Sequence, residues 1–251
     1  MFTEIPNKKA LDYLKSLSKK QILDLLNVGN KKSEDFQYVD RIINYCKLSN
    51  KKGFNKVKYN QKDGKGRYYP NKLAFASLQK DFRGLLCRDD YQDIDMINSL
   101  PSILLNRCPP NISTNYLSKY ITDRDSVLKM LNCTKKTFLI NYITTDYNGD
   151  IRNGQLTDFG KAFLSEMTII KDYFYKNYKE VYARDDYIGD NPKSSVLTNY
   201  IYDIENEILQ LVISKFPKKS ITSLACDGFI SPKEIVIDID KINRITSSYG
   251  V

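Results

Sequence analysis

The chain has 251 residues, and its 39 lysines and arginines against 30 aspartates and glutamates give it a formal net charge of +9. Its hydrophobic fraction of 41% is enough to offset the entropy of ordering most of the chain, which excludes disorder as the main state. The sequence contains no histidine, which excludes Ser-His-Asp triads, Cys-His nucleophiles and HExxH zinc sites built from this chain, so that catalysis must use carboxylates, lysines, arginines, tyrosines or a bound hard cation.

Apolar residues at helical spacing predict a helical region at the N-terminus. Leucines and an isoleucine recur across residues 7–26 with the periodicity of one or two amphipathic helices. A further helix is predicted over residues 33–46, where Ser33 can cap the first turn. We therefore treat residues 1–50 as an N-terminal helical region and residues 51–251 as a second domain.

Residues 51–72 combine glycines and Pro70 with many lysines and tyrosines, a composition typical of a loop or a short hairpin. Tyrosines and arginines alternate with the lysines, as in Arg67-Tyr68-Tyr69, and together they offer phosphate contacts and flat surfaces for bases. The positive charge is equally compatible with an ordinary solvated surface. We interpret the segment as a flap that grips a ligand rather than as part of the core.

The middle of the chain begins with a strand and continues with helices. Residues 93–97 predict a short strand whose end turns into a helix through Ile103 and Leu104. Three short helices and then two long amphipathic ones are expected beyond it. The short helices cover residues 114–121, 123–131 and 134–143, and the long ones have apolar stripes from Leu156 to Tyr178 and from Leu197 to Leu211.

The C-terminal part has the pattern of a β-hairpin followed by a helix. Residues 221–225 predict the first strand, Asp227-Gly228 the turn, and residues 234–237 the return strand. A last helix is expected over residues 240–245. Because strands bracket a helical middle, the sequence predicts an α+β fold.

Five cysteines are scattered through the chain without a CxxC pair, which argues against a zinc ribbon and predicts reduced thiols. There is no run of about 18 uncharged apolar residues, and the first residues lack the pattern of a signal peptide. We therefore expect an intracellular protein in a reducing compartment, without a membrane partner.

Two carboxylates at strand ends are the strongest candidates for chemistry. Asp95 lies at the exit of the first predicted strand, and Asp227 lies at the tip of the hairpin. If the strands are neighbours, both side chains can share Mg²⁺ or Mn²⁺, because these ions prefer oxygen ligands and complete their shells with water and substrate phosphates. Either signal alone is weak, since Asp-x-Asp occurs again at Asp238-Asp240 and Asp-Gly is an ordinary turn pair.

The ordered combination resembles the motifs of the transposon-virus polymerases, a branch related to family A DNA polymerases and single-subunit phage-type RNA polymerases. Residues 91–104 (YQDIDMINSLPSIL) resemble the first catalytic motif, and residues 223–229 (SLACDGF) resemble the third. Residues 120–125 with 134–139 are similar to the fingers helix, so that the resemblance runs from about residue 66 to residue 237. The sequence departs from the pattern at Leu100 and Cys226, where the family has histidine, and at residues 144–146, where a Gly-rich end is absent.

The resemblance implies a reduced right-hand palm with a small antiparallel sheet, helical fingers and the N-terminal helical region. It implies a template-directed nucleotidyltransferase, either a DNA polymerase or a primase-polymerase, with RNA synthesis left open. Asp95 and Asp227 would hold two Mg²⁺ ions beside Asp93, and Lys135 or Lys136 would contact the incoming triphosphate. The implied partners are a DNA or RNA template and primer, nucleoside triphosphates and other replication proteins.

Further basic residues are candidates for contacts with phosphate groups. Lys65, Arg67 and Arg83 are candidates for template or primer phosphates. Arg124 is either a triphosphate contact or an ion-pair partner of a neighbouring aspartate.

Two rival functions remain open. One rival is a non-catalytic nucleic-acid-binding or scaffold protein with a decayed palm. The other is a metal-dependent nuclease, whose residues are Glu234, Asp238 and Asp240.

Overall fold

A computed structural model describes residues 1–25, 33–50, 53–146, 157–183 and 191–251, without the side chains of residues 33–36 and 50. Leu156 and residues 26 and 51–52, which belong to predicted elements, lie outside these ranges. Contacts between residues divide the chain into two compact units. The first unit contains residues 1–96 and 209–242, and the second contains residues 97–208 and 243–251. The domain boundary predicted after residue 50 was drawn from the sequence pattern and not from contacts, and it stays a prediction.

The first unit begins with the predicted helical region. Its helices are α1 (Lys8–Ser16), α2 (Lys19–Leu25), α3 (Ser33–Asn50) and α4 (Lys80–Cys87). The Asn7 side chain caps α1 by accepting a hydrogen bond from Ala10 N at 3.1 Å. Within residues 7–25 the structure has two separate helices, α1 and α2, which confirms the two-helix alternative. The helices bury their apolar faces in one core. The core includes Leu11, Leu14, Ile22, Val39, Ile42, Tyr45, Phe75, Phe82, Leu86 and Ile230.

Seven strands form three small antiparallel sheets within the described residues. They are β1 (Phe2–Glu4), β2 (Asn55–Val57), β3 (Tyr59–Lys62), β4 (Lys65–Pro70), β5 (Tyr91–Asp95), β6 (Ser223–Ala225) and β7 (Gly228–Pro232). β1 pairs with β2, β3 pairs with β4, and the third sheet has the order β5-β7-β6. The α+β class is therefore confirmed, while the assignment as a polymerase palm stays a prediction.

The predicted return strand at residues 234–237 is wrong. The strand that returns from the turn is β7, which starts directly at Gly228 and ends at Pro232. Proline has no N–H with which to continue a ladder, and Val236 beyond it is 90% exposed. The first strand is also two residues earlier than predicted, because its ladder with β7 runs from Tyr91 to Asp95. The hairpin and the position of Asp227 in its turn are confirmed.

The helical middle of the chain forms the second unit. Its helices are α5 (Ser99–Arg107), α6 (Asn115–Thr122), α7 (Arg124–Met130), α8 (Lys135–Phe138), α9 (Asp158–Tyr182) and most of α10 (Pro192–Ile213), while the last helix, α11 (Ile239–Thr246), is shared between the units. A single π-helical turn, Leu139–Ile143, follows α8. Phe138 stacks on Tyr120 with ring centroids 4.0 Å apart and on Tyr142 at 5.1 Å. Tyr142 is thus a core residue.

The segment at residues 144–146 caps a helix. Asp146 accepts hydrogen bonds from the backbone N–H groups of Lys193 at 3.0 Å and Ser194 at 2.9 Å, which are in the first turn of α10. Lys171 is buried and donates to the carbonyl of Thr145 at 2.6 Å. Burial lowers the pKa of Lys171 to about 8, and the nearby Asp146 carboxylate opposes part of that shift. Residues 144–146 thus serve as a helix cap rather than as an open loop.

The five cysteines, all within the described ranges, form no disulfide bond. Cys226 is exposed in the turn between β6 and β7, whereas Cys46 is buried in the helical core, where burial raises the pKa of its thiol to about 11. Over the ranges that the structure describes, no helix combines the length and the apolar character needed to cross a membrane.

Candidate functional site

The third sheet brings the two predicted aspartates to the same end. Asp95 is the last residue of β5 and is paired with Gly228, the first residue of β7. Asp227 precedes Gly228 in the two-residue turn that follows Ala225. The backbone N–H of Met96 donates to the carbonyl of Asp227 at 3.1 Å. The two positions are far apart in sequence but lie on adjacent backbones.

Gly228 is required by the close approach of Asp95. A Cβ atom at position 228 would lie 2.6 Å from Asp95 Oδ1 and 3.0 Å from Asp95 Cα, and still closer to the carbonyl oxygen of Ile94. Cβ atoms do not make contacts this short, so any side chain here would displace β5 or the carboxylate. The Asp-Gly pair therefore does more than form a turn, because its glycine leaves room for the Asp95 carboxylate.

The acidic side chains of β5 are open to solvent. Asp93 and Asp95 are both exposed, and the alternation of a strand places them on one face with Ile94 on the other. Among the described residues, no group of three or more His, Cys, Asp or Glu side chains could hold a metal ion. The metal hypothesis consequently depends on the pair Asp95 and Asp227, and a role for Asp93 stays a prediction.

A buried carboxyl group supports the strand that leads to this turn. Glu4 is fully buried and accepts hydrogen bonds from Phe75 N at 2.9 Å, Ser223 Oγ at 2.8 Å and Tyr45 OH at 3.1 Å. Ser223 begins β6, and its hydroxyl also bonds to Tyr59 OH at 2.7 Å. Burial raises the pKa of Glu4 to about 7, although its hydrogen bonds act in the opposite direction. Nothing in the local sequence marks Glu4 as special, and sequence reasoning missed it.

The basic residues predicted to bind template or primer lie in the first unit. Lys65 and Arg67 belong to β4, where Lys65 is exposed and Arg67 is half-buried. Arg83 is on α4 and lines an open groove of about 580 Å³. The same groove is lined by Asp93 and Lys233, so that the structure brings Arg83 to the acidic strand.

The residues predicted to contact the triphosphate lie in the second unit. Arg124 Nε pairs with Asp125 Oδ1 at 3.2 Å, which matches the ion-pair alternative, and its Nη1 donates to Asn98 Oδ1 at 3.1 Å. Sequence reasoning missed Asn98, a residue in the left-handed conformation with φ 52° just before α5. Lys135 and Lys136 are exposed on α8, and their contact with a triphosphate stays a prediction.

The second Asp-Ile-Asp sequence has a different role. Asp238 Oδ1 accepts a hydrogen bond from Lys241 N at 2.8 Å at the beginning of α11. This contact is that of a helix N-cap, for which aspartate is among the preferred residues. The tripeptide at 238–240 is therefore part of a helix start, whereas the identical tripeptide at 93–95 ends a strand.

Comparison with known proteins gives one distant relative. The chain is 28% identical over 201 residues to "Putative helicase V13" of Sputnik virophage, and the match covers 71% of this chain and 26% of that protein. The chain thus spans about a quarter of the length of this relative. No family model and no solved structure matches the chain.

Proposed function

We propose that the chain is a template-directed nucleotidyltransferase whose two metal ligands are Asp95 and Asp227. The observation that carries the proposal is the approach of the Asp95 carboxylate to Gly228, next to the turn that contains Asp227. A glycine at this point of the hairpin keeps the strand end open for charged oxygens. DNA is the proposed product, made by a polymerase or a primase-polymerase.

The donor set fits Mg²⁺ or Mn²⁺. Asp95 is exposed and Asp227 is half-buried, so water and substrate phosphates can supply the oxygen ligands that two carboxylates leave open. When bound, the ions would lower the pKa of the attacking 3′-hydroxyl and neutralise the leaving pyrophosphate. This chemistry needs no imidazole, which agrees with a sequence that has no histidine.

The other residues in the proposal bind and orient nucleic acid. Arg83, in the groove that Asp93 also lines, is suited to a phosphate of the primer or template. Lys65 and Arg67 on the β3-β4 hairpin extend the positive charge of the first unit. Nucleoside triphosphates, a DNA or RNA template and primer, and further replication proteins are the proposed partners.

The virophage relative supports a general function in viral nucleic-acid metabolism. The name of that protein describes a helicase, but the match covers only 26% of its length. The present sequence contains no G-x-x-x-x-G-K-[S/T] stretch, the phosphate-binding loop of P-loop motors. We therefore propose nucleotide transfer rather than strand separation for this chain.

Primer extension tests the proposal. We expect Asp95→Asn and Asp227→Asn each to reduce incorporation on a primed template by about 100-fold or more, the loss typical when a group that stabilises transition-state charge is removed. Binding of the primed template should stay nearly unchanged. The matched control is Asp238→Asn with Asp240→Asn, which alters an identical tripeptide, keeps a good N-cap residue and should leave incorporation intact.

Three outcomes of this assay would contradict the proposal. Incorporation that survives both single substitutions would remove the two aspartates from the mechanism. A wild-type protein that binds the template without extending it would favour the non-catalytic scaffold. Degradation of the template without nucleoside triphosphates, abolished by the changes at Asp238 and Asp240, would favour the nuclease.

A further inference from the structure

The β3-β4 hairpin has two faces of different character. A two-residue turn at Asp63 and Gly64, with φ angles of 55° and 71°, joins the strands. Positive φ at both central positions is typical of the tight turns that match the twist of a hairpin. Asn60 is paired with Tyr69 and Gln61 with Tyr68, so these two pairs point to opposite sides.

One face is held against the rest of the first unit. Tyr59, Gln61 and Tyr68 on this face are half-buried. The hydroxyl of Tyr59 bonds to Ser223 Oγ at 2.7 Å, and its ring packs edge-on against Phe2 with centroids 5.5 Å apart. These contacts fix the orientation of the hairpin and turn its other face toward solvent.

The other face, which we call the outer face, consists of Asn60, Lys62 and Tyr69, together with Lys58, which directly precedes β3 and whose carbonyl accepts a hydrogen bond from Asn71 N at 2.8 Å. All four are exposed, and the Tyr69 side chain is 54% exposed. In residues 53–72 the basic side chains far outnumber the single carboxylate, Asp63. The basic residues are Lys56, Lys58, Lys62, Lys65, Arg67 and Lys72. The outer face therefore combines positive charge with an exposed aromatic ring.

The spacing of these side chains suits a nucleic-acid strand. Lys58 directly precedes β3 and Lys62 ends it after a register shift at Gln61, so the two lysines are four residues apart, or about 13 Å at the rise of a β-strand. Tyr69 is paired with Asn60 and therefore lies between the two lysines. Single strands are bound without sequence preference by this combination of an aromatic platform for a base and flanking cations for phosphates.

We propose that the outer face of the β3-β4 hairpin binds a single strand of DNA or RNA, with a base on Tyr69 and phosphates on Lys58 and Lys62. An anionic membrane would also attract the lysines, but the outer face has no aliphatic side chain to insert into a bilayer. The inference deepens the proposed function, because it names the surface that would hold the template strand.

Fluorescence anisotropy with a labelled 12-nucleotide oligothymidylate and the matching oligouridylate tests the inference, in EDTA so that no metal contributes. We expect Tyr69→Ala to weaken binding at least about fivefold, the lower end for loss of one stacked base, and Tyr69→Phe to retain it. The double change Lys58→Gln with Lys62→Gln should weaken binding and reduce the salt slope by about 0.7 for each lysine.

Matched controls exist in the same unit. Tyr13 on α1 is 49% exposed, so Tyr13→Ala removes a comparable ring elsewhere. The double change Lys20→Gln with Lys47→Gln removes the same charge from exposed positions on α2 and α3. Both controls should bind the oligonucleotides nearly as well as the wild type does, because none of these residues belongs to the outer face.

Equal losses in the hairpin variants and their controls would overturn the inference, as would binding to phosphatidylserine vesicles in the absence of oligonucleotide binding. The assay also separates this inference from the proposed function. Asp95→Asn should bind the oligonucleotide normally, so weakened binding by Tyr69→Ala supports the outer face even if primer extension fails. Primer extension that depends on Asp95 but is insensitive to Tyr69→Ala and to the lysine changes would overturn only the inference that the outer face binds the template strand.

Discussion

Glu4 has an environment that the local sequence does not suggest. Its carboxyl group lies in the first unit with no exposed surface, and its hydrogen-bond partners are the neutral groups of Phe75, Ser223, Tyr45 and Asn55. No cation accompanies it among these partners. Burial without a counter-charge favours the protonated acid, and this is why the pKa of Glu4 is raised to about 7.

The raised pKa of Glu4 makes the stability of the fold dependent on pH. The unfolded-state value is about 4.5 and the folded value about 7, so the folded protein binds the proton more tightly. The stabilisation by this proton is complete below pH 4.5 and is lost as the pH rises through 7. The shift corresponds to about 3 kcal/mol in the free energy of unfolding, which should decrease by an amount of that order between pH 5 and pH 8.

Urea denaturation from pH 5 to pH 8 measures this effect, with Glu4→Gln as the reference because glutamine stays neutral. The difference between the wild-type and Glu4→Gln unfolding free energies should change with pH in the stated direction. Parallel profiles for the two proteins would show that Glu4 does not titrate in this range.

The two Asp-Ile-Asp tripeptides show how little a short motif determines. At 93–95 the tripeptide ends a strand beside Gly228, and at 238–240 it starts a helix. The residues are identical, so the difference comes from partners that are distant in sequence. Order and spacing of several motifs singled out the first copy, whereas neither tripeptide alone could have done so.

The pairing of β5 with β7 depends on glycine at position 228. We expect Gly228→Ala to destabilise the protein by about 1–3 kcal/mol, since the new Cβ would contact the carbonyl of Ile94 and the Asp95 carboxylate. Gly84 provides the control, because a Cβ there meets nothing within 4 Å and the residue is inside α4. Gly84→Ala should stabilise the protein by up to about 1 kcal/mol.

Chemical denaturation of both variants distinguishes steric conflict from a general effect of glycine replacement. Opposite signs for Gly228→Ala and Gly84→Ala agree with the close approach between β5 and β7. A Gly228→Ala protein as stable as the wild type would mean that β5 and β7 are not packed as tightly as described.

At the level of elements, most helices were predictable from the sequence, whereas helix α4 and strands β1 and β2 were not predicted and one strand was misplaced. Helical stripes and capping residues such as Thr134 and Thr157 are local signals, and they lie where α8 and α9 begin. The return strand of the C-terminal hairpin was misplaced because residues 234–237 are more strand-like in composition than 228–232. Pairing with β5 determines which residues form the return strand, and a short stretch of sequence does not reveal a pairing between residues so far apart.

The division of the whole molecule into two units could not be predicted from the sequence. Residues 209–242 return to the unit formed by residues 1–96, and residues 243–251 return to the other. Composition changes little at these points, so no linker signal marks them. The position of Asp95 and Asp227 at the same end of one sheet was inferable only because the motif order suggested neighbouring strands.

At the scale of the whole molecule, we propose that Asp95 and Asp227 hold divalent ions at one place. Electron paramagnetic resonance of added Mn²⁺ tests it directly, because the signal of the free ion weakens when the ion binds. The wild-type protein should bind Mn²⁺ in competition with Mg²⁺, and Asp95→Asn and Asp227→Asn should each abolish the same bound fraction. Since both residues would belong to one site, the double variant should lose no more than either single variant. Undiminished Mn²⁺ binding in both single variants, or losses that simply add, would contradict the shared site.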